Sequence, residues 1–106
     1  MKLLTKAIET MARKQYQFGN EWEKQKIVAK FFNPTGSWTW YLMNMDEDND
    51  YCWGIVKGNE VECGSFSLKE LQAFRGKFGL GIERDMSFTP MPVTELWAKL
   101  MDGKHV

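Results

Sequence analysis

The stretch Tyr51-Cys52-Trp53-Gly54-Ile55-Val56-Lys57-Gly58-Asn59-Glu60-Val61-Glu62-Cys63-Gly64-Ser65-Phe66-Ser67-Leu68-Lys69-Glu70-Leu71 decides the fold class. Two runs rich in β-branched and aromatic residues flank Gly58-Asn59, a pair suited to a two-residue hairpin turn. If Lys57 faces Glu60, then Ile55 faces Glu62 and Trp53 faces Gly64. That register pairs opposite charges and sets an aromatic ring over a glycine. Cys52, Val56, Val61 and Cys63 then share the other face. The second run passes directly into Ser67-Leu68-Lys69-Glu70, a capping box. Its Ser hydroxyl accepts from the Glu70 amide, and the Glu70 carboxylate reaches back to the Ser67 amide. Phe66 and Leu71 hold the two staple positions. A hairpin that runs into a helix predicts an α+β fold.

Upstream, Lys26-Ile27-Val28-Ala29-Lys30-Phe31-Phe32 and Ser37-Trp38-Thr39-Trp40-Tyr41-Leu42-Met43 form a second hairpin around Asn33-Pro34-Thr35-Gly36. Period-two alternation puts Trp38 and Trp40 on one face, Thr39 and Tyr41 on the other. Before it, Leu4, Ala7, Ile8 and Met11 mark the apolar face of a helix that starts near Thr5 and ends between Tyr16 and Gly19. Downstream, Arg75-Gly76 closes the short middle helix and Gly79-Leu80-Gly81 is a loop. Ile82 to Phe88 is a last strand. Pro90 and Pro92 introduce a C-terminal helix with Val93, Leu96, Trp97 and Leu100 in one stripe. The expectation is a single globular domain over 1–106. It has an antiparallel sheet of four to five strands built from two hairpins. An N-terminal, a short middle and a C-terminal helix pack on one face of that sheet.

Composition agrees with a packed domain. The 106 residues are 43% hydrophobic, 14% aromatic and 26% charged, and include five Trp. Fourteen basic residues balance fourteen acidic ones, which argues against an indiscriminate polyanion binder. The balance is local rather than uniform. Residues 1–30 carry +4, residues 31–66 carry −5 and residues 67–106 carry +1. No apolar run approaches the ~20 residues that span a bilayer. No secretory signal is expected from residues 1–11, where Lys2 and Lys6 are not followed by an apolar run and a small-residue cleavage site. The expected setting is therefore cytoplasmic, with two reduced thiols and no membrane partner.

Few residues are arranged for chemistry. Cys52, Cys63 and the near-terminal His105 make no zinc pattern, so no metal and no cofactor are expected. The two cysteines read as small hydrophobes or, as diagonal neighbours, as a reversible redox pair. Asp46-Glu47-Asp48-Asn49-Asp50 resembles the first half of a calcium loop. It lacks the Gly and Glu ligand positions, where Tyr51 and Lys57 stand. Gly76, Gly79 and Gly81 follow a helix, whereas phosphate-cradling glycines precede one. Glu83 and Asp85 on one strand face, with Arg84 on the other, are the candidate centre of an enzyme. Arg75, Lys77 and Arg84 with Trp38 and Trp40 are the candidate set for single-stranded nucleic acid, by charge and stacking. The acidic loop (Asp46, Glu47, Asp48, Asp50) with Trp38, Trp40 and Tyr41 is the candidate surface for a basic partner.

Several strings taken in order carry a family resemblance: Leu3-Leu4-Thr5-Lys6, Phe31-Phe32-Asn33-Pro34-Thr35-Gly36-Ser37-Trp38-Thr39-Trp40-Tyr41, Gly64-Ser65-Phe66-Ser67-Leu68-Lys69-Glu70-Leu71, Arg75-Gly76 and Leu80-Gly81-Ile82-Glu83-Arg84-Asp85 with Phe88. From about Leu3 to Phe88 the chain resembles a domain-of-unknown-function family of small proteins carried on plasmids, integrative elements and phages. The resemblance implies no catalytic set. It implies a setting in which small proteins counter host defence by binding. The leading expectation is thus a non-catalytic interaction protein, an anti-CRISPR or antirestriction inhibitor whose partner is a host or element-encoded protein, a nuclease or its nucleic-acid complex. A single-stranded nucleic-acid-binding module and a small enzyme at Glu83, Arg84 and Asp85 are the alternatives.

Overall fold

The computed structural model describes residues 2–106. Helix α1 spans Lys6–Gln15 and is capped by Thr5, whose hydroxyl accepts from the Ile8 amide at 3.2 Å. It gives way to a 3₁₀ turn over Tyr16–Phe18. The strands are β1 (Lys26–Ile27), β2 (Ala29–Phe32), β3 (Thr39–Met45), β4 (Tyr51–Lys57) and β5 (Val61–Ser67). Then follow α2 (Leu68–Ala73), β6 (Glu83–Arg84), β7 (Met91–Pro92) and α3 (Val93–Met101). The main sheet is antiparallel in the order β5-β4-β3-β2-β6, and β1 pairs with β7 in a separate two-stranded ribbon. The α+β class, both hairpins and all three helices are as expected from the sequence.

The helices do not share one face of the sheet. Ile8, Met11 and Ala12 of α1 and Leu68 and Leu71 of α2 pack on Phe31, Leu42, Met45 and Cys52. Val93, Leu96 and Leu100 of α3 pack on Tyr41, Met43 and Ile55 from the other side. The cause is legible in β3, where five consecutive residues, Tyr41 to Met45, are buried. An unbroken buried run requires cover on both faces. A β-bulge between Leu42 and Asn44 resets the alternation, so Leu42 and Met45 both face α1 and α2. In α1 itself, Ala12 is the fully buried residue, whereas Ala7 is exposed.

The second hairpin is shifted by one residue from the sequence expectation. Lys57 pairs with Val61, Ile55 with Cys63 and Trp53 with Ser65. Gly58-Asn59-Glu60 is a three-residue connection closed by the Gly58 amide on the Glu60 carbonyl at 2.9 Å. A two-residue hairpin turn of the expected kind needs positive φ at Gly58, which the residue does not adopt. Since a slip of one residue exchanges the faces of a strand, Cys52 joins the α1/α2 core while Cys63 lies on the opposite face, exposed. The two thiols therefore cannot form the redox pair. Burial, helped by Asp46 and Asp50, pushes the Cys52 thiol up to about 12, and burial raises that of Cys63.

The expected last strand, Ile82 to Phe88, stops at Arg84. Asp85 turns the chain away: its amide donates to the Lys30 carbonyl at 2.9 Å and its carboxylate accepts from the Ser87 amide at 2.9 Å. Such an Asp turn offers the backbone an alternative to a sheet ladder.

Candidate functional site

The acidic segment follows directly on β3, which runs through Asn44 and Met45 beyond the Met43 at which the expected strand ends. Two of its carboxylates hold the structure together. Asp46 Oδ1 accepts from the amides of Asp50 (3.0 Å) and Tyr51 (3.2 Å), closing the loop on itself. Asp50 Oδ1 accepts from the Ser67 hydroxyl and from the Lys69 amide (3.1 Å), and its carbonyl accepts from Leu68 N (2.8 Å). The Ser67 hydroxyl in turn accepts from Glu70 N at 3.2 Å. The carboxylate that completes the α2 cap is thus that of Asp50, seventeen positions upstream of Ser67. Arg13 clamps the loop from α1, donating to the Asn49 side chain and the Glu47 carbonyl. Only Glu47 and Asp48 remain as outward charges that can be reversed without touching this network.

The Ser67 hydroxyl and the Lys69 amide hold the Asp50 carboxyl below its ordinary value. A carboxyl depressed in the folded state stabilises above the unfolded pKa of about 4, and that contribution is lost as pH falls through the depressed value. Asp50→Asn is accordingly expected to be less stable than the parent at neutral pH and to converge with it on acidification. Urea unfolding at both pH values measures this, and a constant gap between the two proteins counts against the assignment.

The aromatic residues expected to accompany the acidic loop stand elsewhere. Tyr41 is 1% exposed, and its hydroxyl donates to the Val106 carbonyl at 3.0 Å. Burial and Asp85 raise that hydroxyl to about 12. Tyr41 is therefore a core residue, not a contact residue. Trp40 is half-buried against the α1/α2 core. Trp38 is 44% exposed, with its ring 6.2 Å from that of Trp40. It lies over Gly58, where any Cβ would meet the ring at 2.6 Å. Trp38 immediately precedes β3 and Trp40 is its second residue, whereas the acidic loop follows its end. Seven strand residues separate them by about 20 Å, so one compact surface does not include both.

Glu83, Arg84 and Asp85 are also dispersed. Glu83 lines a groove of about 730 Å³ with Lys2, Glu9 and Arg75. Arg84 and Asp85 line another, of about 630 Å³, with Lys30, Lys57 and Trp38. Asp85 pairs with Lys30 at 3.6 Å, and the Arg84 guanidinium donates to the Lys2 carbonyl at 2.9 Å. These groups serve the sheet edge and do not converge on one reacting atom. Of the nucleic-acid set, Trp38 and Arg84 share the second groove, while Arg75 lines the first. Among the described residues no cluster of three or more His, Cys, Asp or Glu could hold a metal ion. No described helix is long and apolar enough to cross a membrane.

The most exposed aromatic of the chain was not singled out by its sequence. Phe78 is 92% exposed, in a 3₁₀ turn over Lys77–Gly79, and has φ +60° and ψ +19°. This left-handed conformation costs an L-residue about 1 kcal/mol or more. The turn is cross-braced: Gly76 N donates to Leu80 O (2.7 Å), Gly79 N to Gly76 O (3.1 Å) and Leu80 N to Lys77 O (3.2 Å). It stands against the 33–36 turn, with the Thr35 hydroxyl 3.3 Å from the position of a Gly76 Cβ. Phe74 and Leu80, also exposed, flank it. Arg75 and Lys77 precede Phe78 in the segment, and residues 74–82 contain no carboxylate. The available signal was an aromatic set between glycines, Gly76-Lys77-Phe78-Gly79, in a stretch otherwise explained by helix termination.

Fold and surface together define a small α+β protein that projects one hydrogen-bonded aromatic loop carrying two cations. A family model described as "Protein of unknown function (DUF2958)" matches residues 3–104, and the chain belongs to that family. The match includes α3, which lies beyond the resemblance drawn from the sequence strings. No curated protein and no solved structure matches the chain.

Proposed function

We propose that this chain is a small non-catalytic interaction protein of a mobile genetic element, acting in anti-defence by binding a host protein or its nucleic-acid complex. The mobile-element setting rests on the family resemblance. The binding reading rests on Phe78. An exposed aromatic ring held in a strained backbone conformation adds nothing to the core and costs stability, the mark of a residue retained for contact. The contact surface is accordingly moved from the acidic loop to Phe74–Leu80, because Asp46 and Asp50 are engaged in closing their own loop and capping α2.

The test separates contact from folding. Phe78→Gly relieves the left-handed strain and is expected to raise stability by about 1 kcal/mol. The same substitution should abolish protection of a phage or plasmid challenged by a restriction- or CRISPR-proficient host. Protection equal to that of the parent would remove Phe78 from the binding surface, and a loss of stability would remove the strain argument.

A further inference from the structure

We infer that the Phe78 loop contacts single-stranded nucleic acid, with a base stacked on the Phe78 ring and phosphates on Arg75 and Lys77. This rests on the reading of the loop as the contact surface and names what it touches. Charge chooses the partner. Neither Arg75 nor Lys77 is in an ion pair among the described residues. Arg75 Nη1 is spent on the carbonyls of Gln72 (2.9 Å) and Phe74 (2.7 Å). That fixes the guanidinium and leaves Nε and Nη2 for an external acceptor. The adjoining groove adds Lys2 and contains Glu9, which Arg13 already pairs at 2.9 Å, and Glu83.

Shape chooses single strands. A ring 92% exposed presents its face to an unstacked base, and base–aromatic stacking tolerates any base. Phe78 does not have to move to bind, since the braced turn already holds it out. A neutral chain with two exposed cations on this loop is expected to bind weakly and with a shallow salt dependence, about −1.4 in log K against log salt for two single-strand phosphates.

Fluorescence anisotropy of a labelled thymidine oligonucleotide of about twelve residues, from about 20 to 200 mM KCl, tests this with the full chain. The parent should bind with that slope and should prefer the single strand to a duplex of equal length. Phe78→Ala should weaken binding about tenfold, Phe78→Leu comparably, and Phe78→Trp should restore it, because stacking needs a π-face that Leu lacks. Lys77→Gln should reduce the slope by about 0.7. Absence of binding at low salt, or Leu in place of Phe78 binding as well as the parent, overturns the inference. If oligonucleotide binding is absent while Phe78→Gly still abolishes protection, the partner is a protein surface and the interaction reading stands. If Phe78→Gly also leaves protection intact, both readings fail.

Discussion

Gly54→Ala is expected to destabilise the protein by about 3 kcal/mol, at the upper end of what overpacking costs. A Cβ at Gly54 would lie 2.1 Å from the Tyr41 carbonyl oxygen and 2.9 Å from the Phe66 ring. The first neighbour is backbone of the central strand, held in its ladder, and cannot rotate aside. Alanine would ordinarily gain about 0.5–1 kcal/mol over glycine inside a strand, and here the clash reverses that sign. Gly64, the cross-strand partner of Gly54, supplies the control. Nothing lies within 4 Å of its Cβ position, so Gly64→Ala should be neutral or slightly stabilising. Urea midpoints of the two variants check the pair. Equal midpoints would mean that β3 and β4 are not held as closely as described.

Leu96→Ala is expected to cost about 3 kcal/mol, within the range for a fully buried leucine. The substitution probes the layer arrangement as much as the residue. Leu96 lies in the α3 core with Ile27, Tyr41, Met43 and Ile55, all buried. Detaching α3 would expose the whole second face of the sheet, so α3 and the sheet should melt together in one transition. Tryptophan fluorescence, which follows the edge-on Trp22–Trp97 pair at 4.8 Å, and far-ultraviolet circular dichroism should therefore give coincident curves. An early fluorescence transition that leaves the dichroism intact would show that the sheet stands without α3.

Local chemistry was legible wherever neighbours in the chain settle the structure. Thr5 caps α1, and Ser67 with Glu70 starts α2. Val93, Leu96, Trp97 and Leu100 form the α3 face as their spacing indicates. Both hairpins pair the expected runs. The register of the second was misread because Lys57 opposite Glu60 and Trp53 opposite Gly64 are attractive pairs locally. Burial of Cys52, Gly54 and Phe66 against α1 and α2 outweighs one exposed charge pair, which is worth only a few tenths of a kcal/mol. The same slip separates Cys52 from Cys63. At the candidate site, Arg75 and Lys77 were legible as cations. Tyr41 was misplaced because alternation tells which residues share a face, not whether a helix covers that face.

Asp50 shows what the local reading leaves out. As sequence it is one of four acids in a polar loop, and in the fold it caps a helix that begins eighteen residues later. Phe78 shows the converse, an apolar residue whose neighbours alone suggest an ordinary turn and which the fold leaves almost wholly in solvent. The amino-acid sequence by itself determined the α+β class, the helix starts, the strand pairing and the membership of residues 3–104 in one family. Capping, periodicity and turn chemistry act over a few residues, so they survive without tertiary context. Only the tertiary structure decided the register, the two-sided covering of the sheet and which aromatic meets solvent. Those depend on how much apolar area the distant helices α1, α2 and α3 cover, and that balance is struck over the whole molecule at once.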